Sequence, residues 1–189
     1  YLATGLSTGF GNEMFTIGPV KIMLDGSSSG PSSAMSKPYN HDSNLKGILV
    51  WTQEEADEVI IEAHNAGYQV TAHAIGDLAI DIILKAIEKA LKNSPRMNHR
   101  HRIEHCGLPN TEQLDKIKEL GIIPIPNPGF IYLNGKDYNR FYGERVDFMF
   151  PLKTYIQKGI IAAIGSDTPV IEPNPMHGIY AALMRTDGK

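Results

Sequence analysis

Cysteine is almost missing from this sequence. Cys106 is the single one among 189 residues, which excludes an internal disulfide and any zinc site built from several thiolates. Long apolar runs are missing too. None approaches the roughly 18 residues of a membrane-spanning helix, and the first residues do not read as a signal peptide. Positive charge is not in excess: 18 Lys and Arg against 21 Asp and Glu leave a formal net charge of −3. That balance gives neither nucleic acid nor an anionic membrane surface a reason to bind, and neither is expected as a partner. The Ser- and Gly-rich stretch 27–33 lacks the Gly-Lys-Ser/Thr ending of a phosphate-binding loop. Tryptophan occurs once, at Trp51, just before a helix cap, where its expected role is packing. An initiating methionine is also missing. Tyr1 opens the chain, and Lys189 closes it soon after an apolar stretch that reads as helical. The expectation is a piece of a longer protein, cytoplasmic, with any leader upstream of Tyr1 left open.

What is present is ordinary for a globular chain, 42% hydrophobic and 21% charged, and 189 residues suffice for one domain with a substantial core. The stretch that organises the rest is Gly67 to Asp77. A helix-stopping glycine leads into Tyr68-Gln69-Val70-Thr71-Ala72-His73, which reads as a buried strand ending on a histidine, and Gly76-Asp77 opens the next helix. The same rhythm recurs. Thr52 and Glu55 form a capping box for a helix with Ala56, Val59, Ile60 and Ala63 on one face. A second amphipathic helix covers 78–92, and Pro95 prevents its continuation. Asn110 and Gln113 cap a helix over 111–120. Pro151 starts a short helix over 151–158, and a last one covers 175–184. Gly67, Gly121 and Gly159 each stop a helix just before an apolar run. Strands are expected at Val20–Leu24, 68–73, His101–His105, Ile122–Ile125 and Ile160–Ile164. Residues 26–46 read as a mobile polar loop on the site's side of the fold, and the aromatic-rich stretch 126–150 as a second long loop.

Short apolar strands alternating with helices specify a parallel sheet covered by helices. Five strands make either an open sheet or about five-eighths of a (β/α)8 barrel. In either case the carboxyl ends of the strands gather on one side, where chemistry sits. Those ends present His73, His105 and Asp167, with Lys21 within the first strand. Imidazole and carboxylate are the ligands that zinc and similar divalent ions favour.

Three stretches, Thr71-Ala72-His73-Ala74-Ile75-Gly76-Asp77, His101-Arg102-Ile103-Glu104-His105 and Gly165-Ser166-Asp167-Thr168-Pro169-Val170, resemble the later strand motifs of the amidohydrolase superfamily. Val20-Lys21-Ile22-Met23-Leu24-Asp25-Gly26 resembles the strand-four motif of its family 3 branch, the metal-dependent hydrolases with a TIM-barrel fold. The resemblance implies a partial (β/α)8 TIM barrel, roughly strands four to eight with their helices, lacking strands one to three and the small β domain. It implies a divalent metal, zinc by preference, one or two ions in the intact enzyme. His73 would be the strand-five ligand and His105 the strand-six ligand. Asp167 would touch metal and act as general acid/base, and Lys21 would be carboxylated to bridge two ions. The implied reaction is hydrolysis of a non-peptide, amide-type carbon–nitrogen bond of a small molecule by a metal-activated hydroxide. The superfamily's first two ligands form a His-x-His pair on strand one, and nothing here fills that role: His99-Arg100-His101 has the spacing but precedes the strand ending on His105. The chain alone is therefore expected to bind zinc weakly and hydrolyse nothing.

The competing reading is a non-catalytic α/β small-molecule-binding or regulatory module whose strand-end histidines only make hydrogen bonds. Convergence of Lys21, His73, His105 and Asp167 on one space separates the two. His101 is expected to be structural, and Arg102 and Glu104 to pair on the other strand face. His64, in a helix, and His41, in a loop, are expected to face solvent, and His177 to pack or lie at the surface. Cys106 is expected to be small and buried. Open strand edges of a partial barrel lead to an expected homo-oligomer.

Overall fold

The computed structural model describes residues 2–186. Its elements are β1 (Val20–Met23), α1 (Gln53–Asn65), β2 (Val70–Ala74), α2 (Asp77–Asn93), β3 (Arg102–His105), α3 (Thr111–Leu120), β4 (Ile123–Ile125), α4 (Gly129–Tyr142), α5 (Leu152–Lys158) and α6 (Pro175–Met184). The helix ends form where the sequence places them. The Thr52 hydroxyl accepts from the Glu55 N–H at 3.2 Å, and the Glu55 carboxylate accepts from the Thr52 N–H at 2.8 Å. Asn110 and Gln113 exchange the equivalent pair at 2.9 Å each. Gly121 and Gly159 close α3 and α5 with φ of 65° and 62°, where a side chain would be strained.

The four strands run parallel in the order β1-β2-β3-β4. Register aligns Lys21, Thr71, Arg102 and Ile123 in one row and Met23, His73, Glu104 and Ile125 in the next row on the same face. On the opposite face Ile22, Ala72 and Ile103 are buried in one core with Ile60 of α1, Ile83 and Ile87 of α2, and Ile117 of α3. Each such isoleucine contributes about 2 kcal/mol of transfer free energy. Strand order that follows the chain, with these helices on one face and charged side chains on the other, is an arc of a (β/α)8 barrel. A doubly wound sheet reverses its strand order and carries helices on both faces. On the axial face Glu104 accepts from the Thr71 hydroxyl at 2.7 Å and pairs with Arg102 at 2.8 Å. Among the described residues no helix is long and apolar enough to cross a membrane.

Three expectations about the elements are corrected. Ile160–Ile164 does not form a regular strand. It lies beside β4 with two backbone bonds, Ala163 N–H to the Pro124 carbonyl and Gly165 N–H to the Pro126 carbonyl. The return bonds would have to come from the amides of residues 124 and 126, and both are prolines. Residues 126–150 are not a loop. They contain α4, whose Phe130, Ile131, Tyr138, Phe141 and Tyr142 are buried at helical spacing, followed by a 3-10 turn at Gly143–Phe148. Nor is 26–46 loose: Ser28, Ser33, Met35 and Tyr39 are buried, the Ser28 and Tyr138 hydroxyls meet at 2.8 Å, and Ser36 N–H donates to Asp77 at 2.8 Å.

His64 does not face solvent. It is buried with His101 and His99 at the amino-terminal end of the sheet, and the hydrogen bonds fix all three tautomers. Val70 N–H donates to His101 Nδ1 at 2.9 Å, so the His101 proton sits on Nε2 and is donated to His64 Nδ1, also at 2.9 Å. His64 Nε2 then donates to the Ser94 carbonyl at the end of α2. His99 Nδ1 accepts from the His101 N–H, and its Nε2 donates to the Leu120 carbonyl at the end of α3. All three are neutral and fully partnered. Burial, followed by the nearby His99, His64 and Arg96, pushes the His101 pKa down to about 2. The expected structural role of His101 is what the structure shows, and His41 is exposed as expected.

Candidate functional site

At the opposite, carboxyl end of the sheet, Lys21, His73, His105 and Asp167 line one cavity of about 270 Å³, with Met23 and Phe130 among its apolar walls. They arrive from β1, β2, β3 and the segment after β4. Simple strand alternation would put His105, the row partner of Ala74, on the helix side of the sheet. A φ of +71° at His105, followed by +45° at Cys106, turns the imidazole instead towards His73, with ring centroids 4.5 Å apart. Asp167 also has positive φ, at +59°. Two of the four residues thus occupy backbone conformations that cost free energy and persist only where the surroundings enforce them.

The partners of the two imidazoles decide which nitrogen of each carries a lone pair. His73 Nε2 lies 2.9 Å from the Gly26 carbonyl and 3.3 Å from a carboxylate oxygen of Asp25, both acceptors, so its proton is on Nε2 and Nδ1 is bare. His105 Nδ1 lies 2.6 Å from Asn127 Oδ1, and Asn127 Nδ2 donates to the Gly165 carbonyl at 2.8 Å. The Gly165 carbonyl can only accept, so it fixes the amide orientation, and His105 carries its proton on Nδ1 with Nε2 bare. Burial works against charge on His73, but Asp25 and the Gly26 carbonyl outweigh it and hold its pKa above the ordinary imidazole value. Burial, with His73 beside it, lowers the His105 pKa, against the pull of Asn127 and Asp167. Two imidazoles with fixed tautomers, each backed by an acceptor on the far nitrogen, form the usual support of metal-ligating histidines.

Asp25 is the hub of this support. Its buried carboxylate accepts from the backbone N–H groups of Ile75 (3.0 Å), Gly76 (2.8 Å) and Ala34 (3.0 Å) as well as facing His73. It ties the end of β1, the Ser-rich segment and the turn into α2 to one point. The exposed Lys21 amine makes no hydrogen bond or ion pair among the described residues. Among those residues, too, no three His, Cys, Asp or Glu side chains come close enough together to hold a metal ion. The arrangement is a pair of imidazoles sharing a cavity wall with a carboxylate and an amine, not a closed coordination shell. His99 and His101, the one pair with His-x-His spacing, lie at the other end of the sheet and do not contribute to it.

The model of the amidohydrolase family matches residues 2–189. This chain belongs to the amidohydrolase family, in its family 3 branch. It is 34% identical over 173 residues to the Bacillus subtilis protein named "Putative amidohydrolase YtcJ", covering 89% of this chain and 31% of that one. It is 26% identical over 170 residues to an N-substituted formamide deformylase of Arthrobacter pascens, with the same 89% and 31% coverage. Among solved structures, an uncharacterised metal-dependent hydrolase from Pyrococcus horikoshii OT3 superimposes with a TM-score of 0.84 at 30% identity, over 99% of this chain and 37% of that one. A second, from Pyrococcus furiosus, gives 0.81 at 33% identity, over 95% and 36%. The chain therefore spans about a third of the length of the relatives it matches.

The sequence reading of this amidohydrolase chain missed Asp25 and Asn127. Asp25 entered only as a member of the Val20–Gly26 motif, with no role of its own, and Asn127 as part of a loop. The available signal was position: each is a short polar residue two positions beyond a strand, at the end of the sheet where the other site residues sit. Cys106 is buried, and burial pushes its thiol up to about 12, so it is no nucleophile.

Proposed function

We propose that the parent polypeptide is a cytoplasmic metal-dependent hydrolase of non-peptide, amide-type carbon–nitrogen bonds in small molecules, and that this chain carries the later-strand part of its site. The reading rests on one observation above all: four side chains from four separate segments line a single cavity, with the lone pairs of two imidazoles left unclaimed. The donor set fits a divalent ion such as zinc. When bound, the ion would supply Lewis acidity and a water of lowered pKa. His73 through Nδ1 and His105 through Nε2 would hold it; Asp167, on the wall of the same cavity, would join them once the segment after β4 moves towards the imidazoles. The Lys21 amine, which would repel a cation if protonated, becomes a bidentate anion on carboxylation by carbon dioxide. Asp167 takes a proton from the attacking water and passes it to the leaving nitrogen. Met23 and Phe130 give the substrate's body an apolar wall.

The test has two parts. Titration of the 189-residue chain with zinc or cobalt is expected to show weak binding that His73→Ala and His105→Ala each abolish. Assay against a panel beginning with N-substituted formamides, the class in one relative's name, is expected to show no turnover by the chain and turnover by the full-length protein. Unchanged metal binding in both histidine variants would overturn the ligand assignment. Robust turnover by the chain alone would overturn its incompleteness.

A further inference from the structure

The Asn127 side chain touches both halves of the site. Its Oδ1 accepts from the proton on His105 Nδ1, and its Nδ2–H donates to the carbonyl of Gly165, two residues before Asp167. It is buried at 3% exposure, as is His105 at 4%, so water does not substitute for either bond. The close approach is built in: a Cβ on Gly165 would lie 3.2 Å from Asn127 Nδ2 and 3.2 Å from the Ile125 side chain. The regular ladder that could hold the Asp167 segment is missing, because Pro124 and Pro126 donate nothing to it.

We propose that Asn127 is a positioning residue that uses one amide for two tasks: it locks His105 in the tautomer with a bare Nε2, and it holds the segment carrying Asp167 against the end of β4. The inference deepens the hydrolase reading and rests on it for the word "positioning", but both bonds act in the metal-free chain. The two tasks separate by substitution. Asn127→Leu removes the acceptor, so a proton on His105 Nδ1 would face methyl groups, whereas a proton on Nε2 faces the cavity. The imidazole therefore switches, and the nitrogen offered to a metal becomes protonated. Asn127→Asp keeps an acceptor for Nδ1–H but cannot donate to Gly165.

The experiment is a long-range proton–nitrogen correlation on the metal-free 189-residue chain labelled at histidine, paired with amide exchange at Gly165. In the unsubstituted chain His105 is expected as the Nδ1–H tautomer, and in Asn127→Leu as predominantly Nε2–H, with zinc affinity down about 10–100-fold. In Asn127→Asp the tautomer is expected to stay Nδ1–H while exchange of the Gly165 amide, itself bonded to the Pro126 carbonyl, quickens about tenfold, because the segment opens more readily with one hydrogen bond fewer to its carbonyl. A His105 that keeps Nδ1–H in Asn127→Leu, or lacks it in the unsubstituted chain, overturns the first task. Unchanged Gly165 exchange in Asn127→Asp overturns the second. If Asn127→Leu does not fold, the unsubstituted tautomer and Asn127→Asp still decide. A chain that binds no zinc but shows these tautomers overturns the ligand assignment and leaves the lock standing; zinc binding with an unmoved tautomer does the reverse.

Discussion

Acid should unfold this protein through its buried histidines, and His101 sets the scale. Its imidazole is completely buried and neutral, with a folded-state pKa of about 2 against 6.5 in an unfolded chain. Below pH 6.5 the unfolded chain takes up a proton that the native state refuses, so stability falls as pH falls, by about 1.4 kcal/mol per pH unit. Between pH 7 and pH 5 the loss from this one group is about 2 kcal/mol, and it does not depend on the folded value so long as that lies well below 5. His64 and His99, both shifted down chiefly by burial, add in the same direction. His73, shifted up by Asp25 and the Gly26 carbonyl, works against them: its contribution is full at low pH and is lost as pH rises through its folded value. The comparison that isolates His101 is therefore a difference. Urea unfolding followed by the fluorescence of Trp51, which packs against the main core, is run at pH 7 and pH 5 on the native sequence and on His101→Asn. Asparagine can still accept from Val70 N–H but carries no titrating group. The variant is less stable at pH 7 by about 1–3 kcal/mol, because His64 Nδ1 loses its donor. Its further loss on acidification is smaller than that of the native sequence by about 2 kcal/mol, or about 1 M in the urea midpoint. Equal pH shifts in the two proteins would refute the argument.

Asp25→Ala strands three backbone N–H groups in the interior, and at about 1–3 kcal/mol each it should cost at least about 3 kcal/mol in urea unfolding; a loss below about 1 kcal/mol contradicts its role as hub. Gly76→Ala places a methyl 1.9 Å from the Ala34 carbonyl oxygen, backbone against backbone, and should cost about 3 kcal/mol by overpacking, while Gly18→Ala, which opens onto empty space, leaves the midpoint unchanged. Ile161 and Ile164, on the segment beside β4, are 77% and 49% exposed, and we propose that copies of this chain associate through this apolar edge; light scattering at high concentration should give a dimer or larger, and a clean monomer refutes it.

The legible parts of the sequence were those fixed by local chemistry. Thr52 with Glu55, Asn110 with Gln113, and the left-handed glycines Gly121 and Gly159 declare helix ends through interactions within a few residues, and those helices form where they say. Gly129, Asn134 and Gly135 lower the local helix propensity of α4, which exists because Phe130, Ile131, Tyr138, Phe141 and Tyr142 share an aromatic core with Met35 and Tyr39. Their spacing of three and four was readable, but the aromatic composition drew attention away from the period. The missing fifth strand was misread for the opposite reason: Ile160–Ile164 has ideal strand residues, and the obstacle lies in the prolines of its neighbour. His64 was misplaced because a polar residue on a helix usually faces water, and its partner His101 is distant in sequence. That Lys21, His73, His105 and Asp167 line one cavity could be anticipated because parallel strands deliver their ends to one rim, although the segment before Asp167 forms no regular strand. Asp25 and Asn127 were passed over because their work is to hold other residues, and only their position just past a strand marked them.

The prolines at 124 and 126 leave the two sides of the site with unequal stiffness. The imidazoles stand on strands laced by a full set of backbone bonds, whereas the carboxylate rides on a seam laced from one side only. Mutations along that seam can therefore reposition the Asp167 carboxylate while leaving the imidazoles undisturbed, so the acidic wall of the cavity can shift without rebuilding the rest.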